Sequence, residues 1–300
     1  MLLSKTLNKI YRTTLFMFLI LTVFTLTNQS KENILRTNVE IKNIEEIPKT
    51  EIYLQSNNNY LVKTNIYVDK NTIEEKAKRI IEFLKEDNNK IPIGLQGYLP
   101  SDLKINSLIL ENNNLKINFS KEFNKSNNEL VMTGLIYSLT ELQEIETIEI
   151  LVDNEHLDNY NKLLSKDVGI NKEYILNSRS DINKVTVYYY DEVNNIEYLT
   201  PVTKYVNDNR EKIEIIISEL SKNVPNNLVS YLSEKTSLLD YNEENEVMVL
   251  NFNQNFKGKD NEINDKIMKL ISESIFENYD VNMILFQENS EKIEYIKRKQ

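Results

Sequence analysis

INFSKEF, residues 117–123, and LNFNQNF, residues 250–256, stand in the same frame 133 positions apart. Each opens as a strand: Leu115, Ile117 and Phe119 alternate onto one face, and Met248, Leu250 and Phe252 do the same in the second stretch. Phe123 and Phe256 follow four residues later, past the strand end, where they are expected to cover the start of the next helix. A strand ending written twice at a fixed offset points to a duplicated unit.

The correspondence continues upstream. YLVKTNIYV at 60–68 faces YLTPVTKYV at 198–206. Each alternates like a half-buried strand, with Tyr60, Val62, Thr64, Ile66 and Val68 sharing a face. EIYLQ at 51–55 and VTVYYY at 185–190 precede them across Asn-rich connections, so each pair reads as a hairpin. A helix follows in both copies. Ile73, Ala77, Ile80, Ile81 and Leu84 recur at helical spacing behind a cap region at Asn71-Thr72, and Ile213, Ile216, Ile217 and Leu220 do so in the second. GLQGYLP at 94–100 then matches NLVSYLS at 227–233.

A second amphipathic helix keeps the 133 offset, setting Leu130, Gly134, Tyr137, Ser138 and Leu142 against Ile263, Ile267, Leu270, Ile271 and Ile275. Closing strands come at 148–153 and 282–287. The expected fold is therefore α+β: two similar ββαββαβ domains, each an antiparallel-leaning sheet with two helices packed on one face. The boundaries read 50–154 for the first domain, 155–183 for a linker and 184–296 for the second. Leu163-Leu164, Ile170 and Tyr174-Ile175-Leu176 indicate that the linker packs on a domain.

Ahead of the repeats, Lys5, Lys9 and Arg12 precede an uncharged run, TTLFMFLILTVFTLT at 13–27. A basic flank before an apolar run is the layout of an export signal. No small-residue cleavage site follows, so residues 1–30 are expected to form an uncleaved N-terminal membrane helix, with 31–49 as a tether. The N-terminus would then be cytoplasmic and the repeats extracytoplasmic, or exported if the signal is cleaved.

The 300-residue chain has no cysteine and a single histidine, His156. This excludes disulfides, thiolate metal sites and a lipidated cysteine, and leaves one residue for any histidine-dependent mechanism. Residues 1–30 carry three basic and no acidic side chains, so the remainder has 33 basic against 46 acidic groups, a net charge of −13. Such a domain gains nothing from nucleic-acid counterion release, and no nucleic-acid partner is expected.

Paired carboxylates are the one catalytic set available. Glu141 with Glu144, and Asp191 with Glu192, are neighbours of a kind that 46 acidic residues produce by chance. His156 is expected to face solvent, and Asp153-Asn154-Glu155 to form a turn. One or two rings of Tyr188-Tyr189-Tyr190 are expected to point outward, since successive strand residues alternate. No residue is assigned a catalytic, cofactor-binding or metal-binding role, and no cofactor is expected.

The repeat resembles the GerM domain of exported sporulation and germination proteins. The residues that carry the resemblance in the first copy are Tyr98-Leu99-Pro100, Ile117 to Phe123, Tyr137-Ser138-Leu139-Thr140-Glu141-Leu142, and Ile148 through Val152-Asp153-Asn154. LLSKDVGINKEYILNSRS in the linker is similar to the family's extension after its last strand. The second copy reads as degenerate: Ser233 replaces the proline, and the SLTEL stretch has no visible counterpart.

The resemblance implies a non-enzymatic, membrane-attached extracytoplasmic protein related to ring-building modules that assemble side to side. The expected function is an envelope scaffold in sporulation or germination, with membrane proteins of that complex as partners. A peptidoglycan- or cortex-binding module serving a wall hydrolase is the alternative.

Overall fold

The computed structural model describes residues 49–69, 72–157, 162–175, 182–222, 227–256 and 264–298. The expected anchor and, apart from Lys49, the tether lie outside these residues, as do Asn71, Leu176 and Ile263. Residues 47–300 form one compact unit.

The first copy runs β1 (Lys49–Ser56), β2 (Leu61–Tyr67), α1 (Ile73–Phe83), β3 (Leu95–Gln96), β4 (Ile105–Glu111), β5 (Asn114–Phe119), α2 (Glu129–Leu139), β6 (Thr147–Val152) and β7 (Glu155–His156). A linking strand, β8 (Glu173–Ile175), leads to the second copy. There the order repeats as β9 (Ile182–Val193), β10 (Ile196–Asn207), α3 (Lys212–Leu220), β11 (Leu228–Val229), β12 (Leu238–Glu244), β13 (Val247–Phe252), α4 (Asp265–Asn278), β14 (Met283–Glu288) and β15 (Glu291–Lys297).

Each copy thus reads ββαβββαββ, two strands more than ββαββαβ. The missed strands are hairpin partners. Asn112-Asn113 and Asn245-Glu246 take positive φ and fold β4 onto β5 and β12 onto β13, while Asp153-Asn154 and Asn289-Ser290 do the same after β6 and β14. Asn and Asp tolerate that conformation, which two-residue hairpin turns require.

The sheets also differ from one per domain. Each copy builds its own four-stranded sheet, β4-β5-β6-β7 or β12-β13-β14-β15. The central pair is parallel in both because a helix, α2 or α4, intervenes between its strands. The opening hairpins go elsewhere. β1-β2 and β9-β10 join edge to edge in a seven-stranded sheet ordered β11-β9-β10-β2-β1-β3, with β8 added alongside β10. Each hairpin alone would leave an open edge, and joining the two satisfies part of both.

Leu115, Ile117, Phe119, Met248, Leu250 and Phe252 are fully buried. Phe123 and Phe256 stack face to face on Phe119 and Phe252, at centroid distances of 4.8 and 4.2 Å. The helix readings correspond to observed stripes: Ala77, Ile80 and Ile81 on α1, and Ile213, Ile216, Ile217 and Leu220 on α3. Thr72 caps α1 by accepting from the Glu75 amide, and Asn128 and Asn264 cap α2 and α4. The cores interlock, for Val193 and Tyr198 of the second copy are buried in the first core, and Tyr60 packs against both.

Direct pairing between β2 and β10 is confined to Lys63 opposite Leu199. On one side the gap is closed by the linker. Asn171, at φ 46°, accepts from the Leu61 amide at 2.9 Å and donates to the carbonyls of Leu61 and Pro201, both at 2.8 Å. Pro201 has no N–H, so a direct ladder could not close there, and the side-chain amide supplies the donor that Pro201 lacks. Ile170 then exchanges bonds with Thr203, and β8 continues parallel to Lys204–Val206. Leu164 and Ile170 are buried, whereas Leu163, Tyr174 and Ile175 face outward. The linker is therefore part of the fold.

Candidate functional site at the seam between the copies

β1 and β9 present tyrosines at equivalent positions, Tyr53 and Tyr188, whose hydroxyls meet at 3.4 Å across the seam. Each tyrosine's backbone amide points away from its hairpin partner and donates to a helix serine, Tyr53 to Ser138 Oγ on α2 and Tyr188 to Ser274 Oγ on α4, both at 2.9 Å. One turn on from each serine is a glutamate. The Tyr53 hydroxyl donates to Glu141 Oε1 at 3.1 Å, and Tyr188 Oη lies 3.5 Å from Glu277 Oε2.

Two lysines compensate the acids. Lys166 Nζ from the linker sits 2.8 Å from Glu141 and 3.9 Å from Glu277. Lys63 Nζ on β2 sits 2.7 Å from Glu51 and 3.0 Å from Glu273, over the Tyr188 ring. The Lys63 and Glu273 side chains are only 8% and 13% exposed. Burial alone would lower the Lys63 pKa, but Tyr188, Glu141, Glu273 and Glu51 together raise it. Lys166 is likewise raised by Glu141 and Glu277 against its burial. Burial pushes both seam tyrosines far up, so their hydroxyls stay protonated.

The two α4 glutamates diverge. Burial would raise Glu273, yet Lys63 and Lys269 bring it below its ordinary value. Glu277 is raised, first by burial, with Glu141 adding to the effect and Lys166 opposing it. The folded chain therefore holds the Glu277 proton more tightly than the unfolded chain. Its contribution to stability declines as pH rises from the ordinary glutamate range, about 4.3, through its own raised pKa. Glu277→Gln removes this dependence, so the variant gains on the parent as pH rises across that window. Urea midpoints measured from acid to neutral pH check this, and a gap independent of pH contradicts it.

Other candidates from the sequence separate. Glu144 and Glu192 are exposed, while Asp191 is fully buried and accepts 2.6 Å bonds from Ser56 Oγ and Asn58 Nδ2. Neither neighbouring pair converges. His156 is half exposed on β7, 3.6 Å from Glu149. Tyr188, Tyr189 and Tyr190 are 1%, 0% and 9% exposed, contrary to the expectation of outward rings. Helices α3 and α4 pack on β9 and the seam covers Tyr188, so strand alternation exposes none of them. Among the described residues no group of three or more His, Cys, Asp or Glu is placed to hold a metal ion.

Comparison with known proteins gives the fold its relatives. Residues 51–158 and 186–294 match the family described as Germane: Sporulation and spore germination. The chain belongs to this family. It is 28% identical over 262 residues to the spore germination protein GerM of Bacillus subtilis strain 168, covering 80% of this chain and 71% of that protein. The solved tandem GerMN domains of the sporulation protein GerM from Bacillus subtilis superpose with a TM-score of 0.75 at 25% identity, over 84% of this chain and 97% of theirs.

The two Germane repeats differ in ways their shared frame conceals. The offset is 133 from Tyr98 to Phe123, matching Tyr231 to Phe256, but 136 from the helix cap onward, Asn128 corresponding to Asn264, because the second copy has a longer connection there. Ser138 and Glu141 therefore correspond to Ser274 and Glu277, and the SLTEL stretch does have a counterpart, SIFEN. In the first repeat a Cβ on Gly134 would lie 2.4 Å from the Tyr98 hydroxyl, which donates to the Tyr53 carbonyl. Leu270 takes that place in the second repeat. The corresponding Tyr231 turns instead to Glu197 and Lys266. Beside it opens a cleft of about 370 Å³ lined by Glu51, Lys63, Asn65, Tyr190, Glu197 and Lys269, among others.

Proposed function

We propose that this sporulation- or germination-related protein is a non-enzymatic scaffold of the cell envelope, anchored by residues 13–27 with its Germane repeats extracytoplasmic. The observation that carries the proposal is the seam itself. Its buried acids are matched by Lys63, Lys166, Lys269 and tyrosine hydroxyls, and the lining of the adjacent cleft includes neither Glu141 nor Glu277. Groups committed to each other fix one arrangement of two modules and leave no poised base for a substrate. The uncharged run behind Lys5, Lys9 and Arg12 supports the anchor. Peptidoglycan binding has less support, because Tyr190 and Tyr198, which line the cleft, are each under a tenth exposed and offer little ring face to a sugar.

The test is capture with the full chain in detergent, offered solubilised membranes of sporulating cells and, separately, purified peptidoglycan. The expected result is stoichiometric recovery of a membrane protein, undiminished by Glu141→Gln. Retention on peptidoglycan with no membrane protein recovered overturns the scaffold reading.

A further inference from the structure

The two repeats are related by a pseudo-twofold that exchanges β2 with β10. Tyr53 is opposite Lys63 in one hairpin and Tyr188 is opposite Pro201 in the other, so Lys63 corresponds to Pro201, Asn65 to Thr203 and Tyr67 to Tyr205. The junction therefore has two equivalent forks, one on either side of its midpoint. The linker fills one. There the Thr203 amide donates to the Ile170 carbonyl at 2.8 Å, β8 runs parallel to Lys204–Val206, and the Tyr174 ring stacks on Tyr205 at 4.9 Å and 11°. The other fork is the cleft, whose lining includes Lys63, Thr64 and Asn65 from β2 and Glu197, Tyr198 and Leu199 from β10.

The β2 edge in this second fork is built to pair. The Tyr53 amide points to α2, away from β2, so the residue opposite it, Lys63, turns its own amide and carbonyl outward. By alternation Leu61, Asn65 and Tyr67 do the same, and Leu61 displays this in its bonds to Asn171. Past Lys63, no strand among the described residues pairs with this edge. Asn65 is exposed and Tyr67 is 61% exposed, with Lys49 Nζ 5.6 Å from the Tyr67 ring. The charges around the cleft are already matched: Lys63 and Lys269 bind Glu273, and Glu197 binds Lys266. Backbone pairing, more than charge, is what this edge offers.

We propose that the β2 edge at Asn65–Val68 docks an extended segment of a partner polypeptide. The segment adds parallel to β2 as β8 adds to β10, accepts a bond from the Asn65 amide as Ile170 does from Thr203, and lays an aromatic ring on Tyr67. The linker is the internal template for such an occupant. The inference deepens the scaffold reading by giving the partner a place and a chemistry, and a scaffold whose partner binds elsewhere would survive its failure.

The test is residue-resolved hydrogen exchange on the full chain in detergent, alone and with a synthetic peptide carrying the sequence of residues 168–175. In the free chain the Asn65 and Tyr67 amides should exchange at least about tenfold faster than those of Thr203 and Tyr205. The peptide should slow Asn65 and Tyr67 without quickening residues 169–175. Replacing its tyrosine by alanine, or making Tyr67→Ala in the protein, should raise the peptide concentration needed by about fivefold or more. Protection of Asn65 and Tyr67 in the free chain would mean that the chain's own tether covers the edge, and would overturn the proposal. So would a peptide that leaves these amides fast, or that protects them while the linker becomes exposed.

Discussion

Phe252→Ala should lower the unfolding free energy of the unit by about 3–5 kcal/mol. Its ring is fully buried, stacked at 4.2 Å on Phe256 and within 6.5 Å of Phe286, so truncation leaves a cavity among rigid rings with little freedom to close. For a unit of this size the loss corresponds to a fall in Tm of the order of 10 °C. Phe119→Ala should cost less within that range. Its partner is Phe123 at 4.8 Å, and the first repeat has the smaller Ile150 where the second has Phe286. Urea unfolding of both variants measures the difference, and equal or reversed losses would mean that the three-ring stack adds nothing.

Lys63→Met should be comparably damaging, at about 3–5 kcal/mol, although no apolar contact of that size is lost. The cost arises because Glu273, 13% exposed, keeps its burial and loses its closest cation but one, while Glu51 loses a 2.7 Å partner. Adding Glu273→Met should recover much of the loss, since an apolar pair avoids the desolvation penalty of the ion pair. A double-mutant cycle in urea reads this directly. Losses that simply add would show that Lys63 and Glu273 do not interact energetically.

Much of the fold is legible in the sequence because burial imposes periodicity. Phe119 and Phe252 announce their strands by alternation, and the stripe on α3 by helical spacing. The helix-cap offset was less accessible. The extra residues before Asn264 left a plausible apolar stripe at either 133 or 136, since Ile267, Leu270, Ile271 and Ile275 satisfy both. That ambiguity hid Glu277 as the counterpart of Glu141, and with it the seam. The hairpin turns at Asn112-Asn113 and Asn245-Glu246 were written in ordinary Asn-rich code, but β4 is largely exposed, so no apolar alternation marked it. The joining of β2 to β10 has no local signal. It depends on Pro201 lacking a donor and on Asn171, 30 residues away, supplying one.

Duplication here produced one folding unit sealed by the seam, and site-specific probes of unfolding can follow both of its cores at once. Fluorine-labelled Phe119 and Phe252, one in each core, would be followed through the same urea titration. The interlocked cores and shared sheet predict a single transition with coincident midpoints. Two separated midpoints, unmoved by Lys63→Met, would mean that the repeats fold independently and that the seam does not bind them into one body.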